Sequence, residues 1–144
     1  MGTTITLLSL LGSESDPTTP SAIGVANVGD SRTYLMRDGE LRQVTVDHSF
    51  VQELVDTGQL SADAARHHPR RNIVTRALGI EPDVQVDSWR LPILEGDRYI
   101  LCSDGLGDEV DDDIADILAT HTDLQACAIV TWDNGSPRSW RASN

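Results

Sequence analysis

The segment Arg98-Tyr99-Ile100-Leu101-Cys102-Ser103-Asp104-Gly105-Leu106 reads as a strand that delivers a carboxylate at its end and then turns on glycine, holding Asp104 rigidly at a loop mouth. Asp30, in Asn27-Val28-Gly29-Asp30-Ser31-Arg32, has the same strand-end placement. Oxygen-only donors of this kind, with no cysteine or histidine at ligand spacing beside them, suit Mg²⁺ or Mn²⁺ rather than zinc. Asp and Gly also dominate turns for steric reasons, so spacing alone leaves a metal role and a turn role open for both residues.

The remaining chemistry-bearing residues have plainer readings. His67 and His68 beside Pro69-Arg70-Arg71 offer arginine forks that match phosphate, but an exposed basic loop on an acidic chain explains them more simply. Asp108, Glu109 and Asp111 to Asp113 lack the alternating ligands and central glycine of a calcium loop and read as a solvated helix start. Cys102, in mid-strand, reads as a small buried hydrophobe, while His48 and His121 have no evident partner.

The elements that must position these groups change period along the chain. Thr3 to Leu11, Ala22 to Val28, Arg32 to Met36 and Leu41 to Val46 read as strands, with Asp38-Gly39 a hairpin turn, and together they suggest an antiparallel meander. Ser49 with Gln52 forms a capping box for a helix whose face carries Val51, Leu54 and Val55 and which stops at Gly58. Ser61 caps a second helix through Arg66, which Pro69 ends. Val84 to Leu91 and Arg98 to Ser103 are strands about a Glu95-Gly96-Asp97 turn, and from Asp111 an acidic first turn opens a helix with Ile114, Ile117 and Leu118 on one face.

Taken together, Ala26-Asn27-Val28-Gly29-Asp30-Ser31-Arg32 and the later Ser103-Asp104-Gly105-Leu106 resemble the metal-dependent protein phosphatases of type 2C, the PPM family. Between them, Asp47 to Val55 and His68 to Gly79 are similar to its bacterial branch. The resemblance implies an α+β fold: a partial two-sheet antiparallel β-sandwich flanked by helices, with a helical flap insert at about 47–79, a partial phosphatase domain over 1–126 and an irregular tail over 127–144. It also implies hydrolysis of phosphoserine and phosphothreonine by a metal-activated water, with two or three Mn²⁺ or Mg²⁺ ions in the complete site.

By resemblance Asp104 is a core-metal ligand, Asp30 and Asp104 share a weaker third metal, and Arg32 is structural. The chain departs from the family at both ends. It begins inside the family's Gly-Met-Gly-Thr-Thr segment, at Met1-Gly2-Thr3-Thr4, and Asp133-Asn134 is followed by Gly135-Ser136-Pro137, which cannot continue as a strand, so Asp133 is not assigned as a ligand. These departures lead us to expect weak metal binding, no catalytic residues and negligible activity. Val25 and Leu101 are expected on open faces. The alternative is a non-catalytic pseudophosphatase, or a remnant that binds a phosphoprotein or a Ser/Thr kinase.

Composition bounds the reading from outside. The 144 residues suffice for one core, and 11 basic residues, all arginine, against 23 acidic ones give a net charge of −12 that repels nucleic acid and anionic lipid. Two cysteines, Cys102 and Cys127, supply no disulfide framework or zinc knuckle. With no membrane segment and no basic region before the apolar Ile5 to Leu11, a cytoplasmic location is the expectation.

Overall fold

The computed structural model describes residues 1–106 and 114–120. The acidic run Asp108 to Asp113, His121, Cys127, Asp133 and the 127–144 segment lie outside the described residues. Among the described residues, six strands form two antiparallel three-stranded sheets. β1 (Ile5–Gly12), β2 (Pro20–Val28) and β5 (Asp87–Pro92) make one in the order β1-β2-β5, and β3 (Arg32–Arg37), β4 (Glu40–Gln43) and β6 (Arg98–Cys102) make the other in the order β4-β3-β6. The sheets meet where β1 lies against β3 and β6, with the Thr6 and Thr33 hydroxyls 2.8 Å apart.

The expected meander is corrected by this topology. β1-β2 and β3-β4 are hairpins, but between Val28 and Arg32 the chain leaves one sheet and enters the other. The same happens between β5 and β6. The β3-β4 turn is as read: Asp38 and Gly39 both take positive φ, 53° and 81°, which matches the right-handed twist of the flanking strands. β4 stops at Gln43 rather than Val46, because the Thr45 hydroxyl, 3.1 Å away, takes the Thr33 N–H in place of a ladder carbonyl. β5 starts at Asp87 rather than Val84, because its pairing with β2 ends at Asn27↔Asp87.

Between β4 and β5 lies the helical insert. Ser49 caps α1 (Phe50–Asp56) by accepting the Gln52 N–H at 3.3 Å, and Ser61 caps α2 (Ala62–Arg66) by accepting from Ala64 at 3.2 Å. Only the first half of the capping box forms, since the Gln52 amide donates to Asp56 at 2.7 Å instead of reaching back. α3 (Ile114–Thr120) lays Ile114, Ile117 and Leu118 on Met36, Leu41 and Ile100, covering the outer face of the second sheet.

The first sheet is less protected. Among the described residues β1 is an edge strand; it carries no charged residue, and Ile5 and Leu7 on it are 44% and 52% exposed. Val25, expected on an open face, is buried at 2%, whereas Leu101 is 43% exposed as expected. An uncharged open edge with an apolar face is a template for pairing with another chain. We therefore expect the protein to self-associate, with an unfolding midpoint that rises with concentration, and Leu7→Arg to weaken that association without unfolding the chain. Sedimentation together with denaturant titration at several concentrations checks this, and a concentration-independent monomer would contradict it.

Candidate metal and phosphate site

The β2–β3 crossover and the end of β6 bring Asp30 and Asp104 together in the lining of one cavity of about 200 Å³. The opposite wall belongs to the helical insert: Val51, Gln52 and Val55 of α1, Ala62, Ala65 and Arg66 of α2, and Arg71 and Asn72 beyond it. Asp30 and Asp104, far apart in sequence, thus share a cavity with Asp47 and with Arg32, Arg66 and Arg71.

Asp30 is half-buried, and its carboxyl is pushed above the usual carboxylate range by that burial and by the negative charges of Asp104 and Asp47. Mutual repulsion of this kind marks a place where a cation is favoured. The donor set is oxygen only, which fits a hard divalent ion. A third carboxylate, Asp47, lines the same cavity but is engaged by Arg32 and Gln43, and no group of three or more His, Cys, Asp or Glu side chains surrounds a common point among the described residues, which leaves Asp30 and Asp104 as the candidate ligands. Asp104 also opens the helical turn of residues 104–106, its Oδ1 accepting the Gly105 N–H at 2.9 Å.

Also in the cavity lining, Arg32 and Asp47 form a bidentate ion pair. Arg32 Nε lies 3.1 and 3.0 Å from the two carboxylate oxygens and Nη2 lies 2.6 Å from Oδ2, while Gln43 donates to the same carboxylate at 2.9 Å. Burial pulls the Arg32 guanidinium down, but the hydrogen bond and charge of Asp47 outweigh it and raise it overall. Arg32 therefore stays charged and is already engaged, as a structural role requires. Cys102 donates weakly to the Arg32 carbonyl at 3.8 Å, and burial pushes its thiol up to about 11, so it remains a protonated hydrophobe.

The basic loop divides. Arg70 sits 5.5 Å over the Phe50 ring and His68 packs against the same ring at 6.1 Å, while Arg66 and Arg71 contribute to the cavity wall. His48, left without a partner by its sequence, is the residue most clearly missed. It is buried at 6%, accepts the Gly29 N–H on Nδ1 at 3.0 Å, and faces Asp87 at 3.1 Å and Arg76 at 2.9 Å through Nε2. Local sequence carries no signal for these contacts, because the partners lie 19, 28 and 39 residues away along the chain.

Two packed antiparallel sheets with a helical insert and an outer helix define the class: an α+β two-sheet fold with carboxylates at its strand ends. The family model for protein phosphatase 2C matches residues 1–54. A serine/threonine phosphatase of Listeria welshimeri is 47% identical over 111 residues, which is 76% of this chain and 44% of that protein. The serine/threonine protein phosphatase PstP of Mycobacterium tuberculosis is 44% identical over 116 residues, 78% of this chain and 20% of that one. Among solved structures, the PPM Ser-Thr phosphatase of Mycobacterium smegmatis in complex with cacodylate superposes with a TM-score of 0.79 at 37% identity, covering 93% of this chain and 56% of that one. The catalytic domain of PstP in complex with two manganese ions gives 0.71 at 36% identity, covering 93% of this chain and 52% of that one. The chain belongs to the protein phosphatase 2C family, on its bacterial side. It spans less than half the length of the curated relatives it matches.

Proposed function

We propose that this chain is part of a phosphoprotein phosphatase that hydrolyses phosphoserine and phosphothreonine esters, and that Asp30 and Asp104 are its metal-binding residues. The observation that carries the reading is the shared cavity, with carboxylates on the sheet side and Arg66 and Arg71 on the insert side. A divalent cation held there, Mn²⁺ or Mg²⁺, would activate water and neutralise phosphate charge. The chain's own residues do the rest. Arg32 and Asp47 fix the floor, and the arginines of the insert supply a positive wall on a molecule whose net charge of −12 would otherwise repel a phosphorylated peptide.

Two carboxylates hold a hard cation weakly, because Mg²⁺ and Mn²⁺ keep most of their waters when so few ligands replace them. The 144-residue chain by itself is therefore expected to turn over a phosphothreonine peptide negligibly, even with millimolar Mn²⁺, and to retain at most binding of the phosphorylated partner. An assay of phosphate release, run beside Asp104→Ala, tests this. Release no faster with the chain than without it is the expected result; Mn²⁺-dependent turnover that disappears in Asp104→Ala would show the site to be catalytically sufficient.

A further inference from the structure

One histidine ties down both peptide groups of the residue that precedes Asp30. The Gly29 N–H donates to His48 Nδ1 at 3.0 Å, and the His48 backbone N–H donates to the Gly29 carbonyl at 3.0 Å, which also accepts from Asn27 Nδ2 at 3.1 Å. Since Nδ1 accepts, the ring proton lies on Nε2 and is donated to Asp87 Oδ2 at 3.1 Å. Arg76 donates to the other oxygen of Asp87 at 2.8 Å, so its 2.9 Å approach to Nε2 is a contact between two donors that the carboxylate serves. The His48 carbonyl accepts the Thr75 N–H at 2.8 Å, which closes the return of the insert on the same residue.

We propose that His48, oriented by Asp87 and Arg76, is a positioning residue that fixes the crossover from which Asp30 enters the cavity. The proposal rests on the reading of Asp30 as a metal ligand. A chain crossing between two sheets has no ladder hydrogen bonds of its own, and a carboxylate at its middle would otherwise sample many directions, which weakens any two-ligand site. His48 supplies the missing acceptor, and Asp87, accepting from Nε2 and itself held by Arg76, orients the ring so that Nδ1 faces Gly29.

The two ring nitrogens have separable roles, which makes the idea testable on the full chain. His48→Asn keeps an acceptor at the δ position; His48→Leu keeps bulk without one. Amide hydrogen exchange at Gly29 is expected to be about tenfold faster in His48→Leu than in the natural chain or His48→Asn, while Val25 in mid-β2 is unchanged. Broadening by Mn²⁺ at Asp30 and Asp104 should then need several-fold more metal in His48→Leu than in the natural chain, and be retained at both in His48→Asn. If His48→Leu does not fold, Asp87→Ala, at a position whose side chain is 31% exposed, should speed Gly29 exchange in the same direction. Gly29 exchange that is unchanged in the folded variants, or an equal rise in the metal needed in His48→Asn and His48→Leu, overturns the proposal. Absence of Mn²⁺ broadening in the natural chain would instead remove the metal reading, with Gly29 exchange still deciding whether His48 holds the crossover.

Discussion

Gly29→Ala should destabilise the protein by about 3 kcal/mol, combining backbone strain with a steric clash. Gly29 has φ of +105°, a region L side chains rarely adopt, and a Cβ there would overlap the side chain of Thr4. Relief is not available by moving Thr4, because its hydroxyl is bonded to Ser31 at 2.8 Å and the strand that follows is paired along β2. The crossover is the one place where the chain passes from the first sheet to the second while carrying Asp30, so this strain is expected to fall on the site as well as on the fold. Urea unfolding of the two proteins at equal concentration checks the magnitude. A loss under about 0.5 kcal/mol would mean that the turn relaxes freely and does not hold Asp30.

The second large effect concerns the Arg32–Asp47 ion pair in the cavity lining. Asp47→Ala is expected to cost about 2 kcal/mol, because it strands the Arg32 guanidinium, whose side chain is only 21% exposed, without its bidentate partner. Most of this loss is the desolvation of an uncompensated charge rather than the worth of the pair. The double variant Arg32→Met with Asp47→Leu should therefore recover most of the stability, since it removes the charge and the partner together. Additive losses in the double variant would contradict that account and assign the cost to packing instead.

What the sequence made legible was local. The Asp38-Gly39 turn, the Ser49 and Ser61 caps, and the Ile114, Ile117 and Leu118 face are all set by neighbours within a few residues, and each appears where its chemistry places it. Alternation in β2 and β3 says which residues face inward but not which sheet a strand joins, so Gly29-Asp30-Ser31 looked like another hairpin turn when it is a crossover. The same limit hid His48, whose partners Gly29, Asp87 and Arg76 are distant in sequence and converge only once the two sheets and the insert are assembled. Asp30 and Asp104 could be singled out as strand-end carboxylates, but their placement in one cavity depends on β3 pairing with β6, which sequence spacing does not reveal.

The central claim is that Asp30 and Asp104 form one cation site opposite the helical insert. Titrating Mn²⁺ into the isotopically labelled chain and following paramagnetic broadening residue by residue tests it most directly. The account predicts broadening around Asp30 and Asp104 together, at the same metal concentration and lost together in Asp104→Ala. Broadening confined to the acidic run Asp108 to Asp113, with Asp30 and Asp104 untouched, would contradict it and leave nonspecific charge attraction as the explanation.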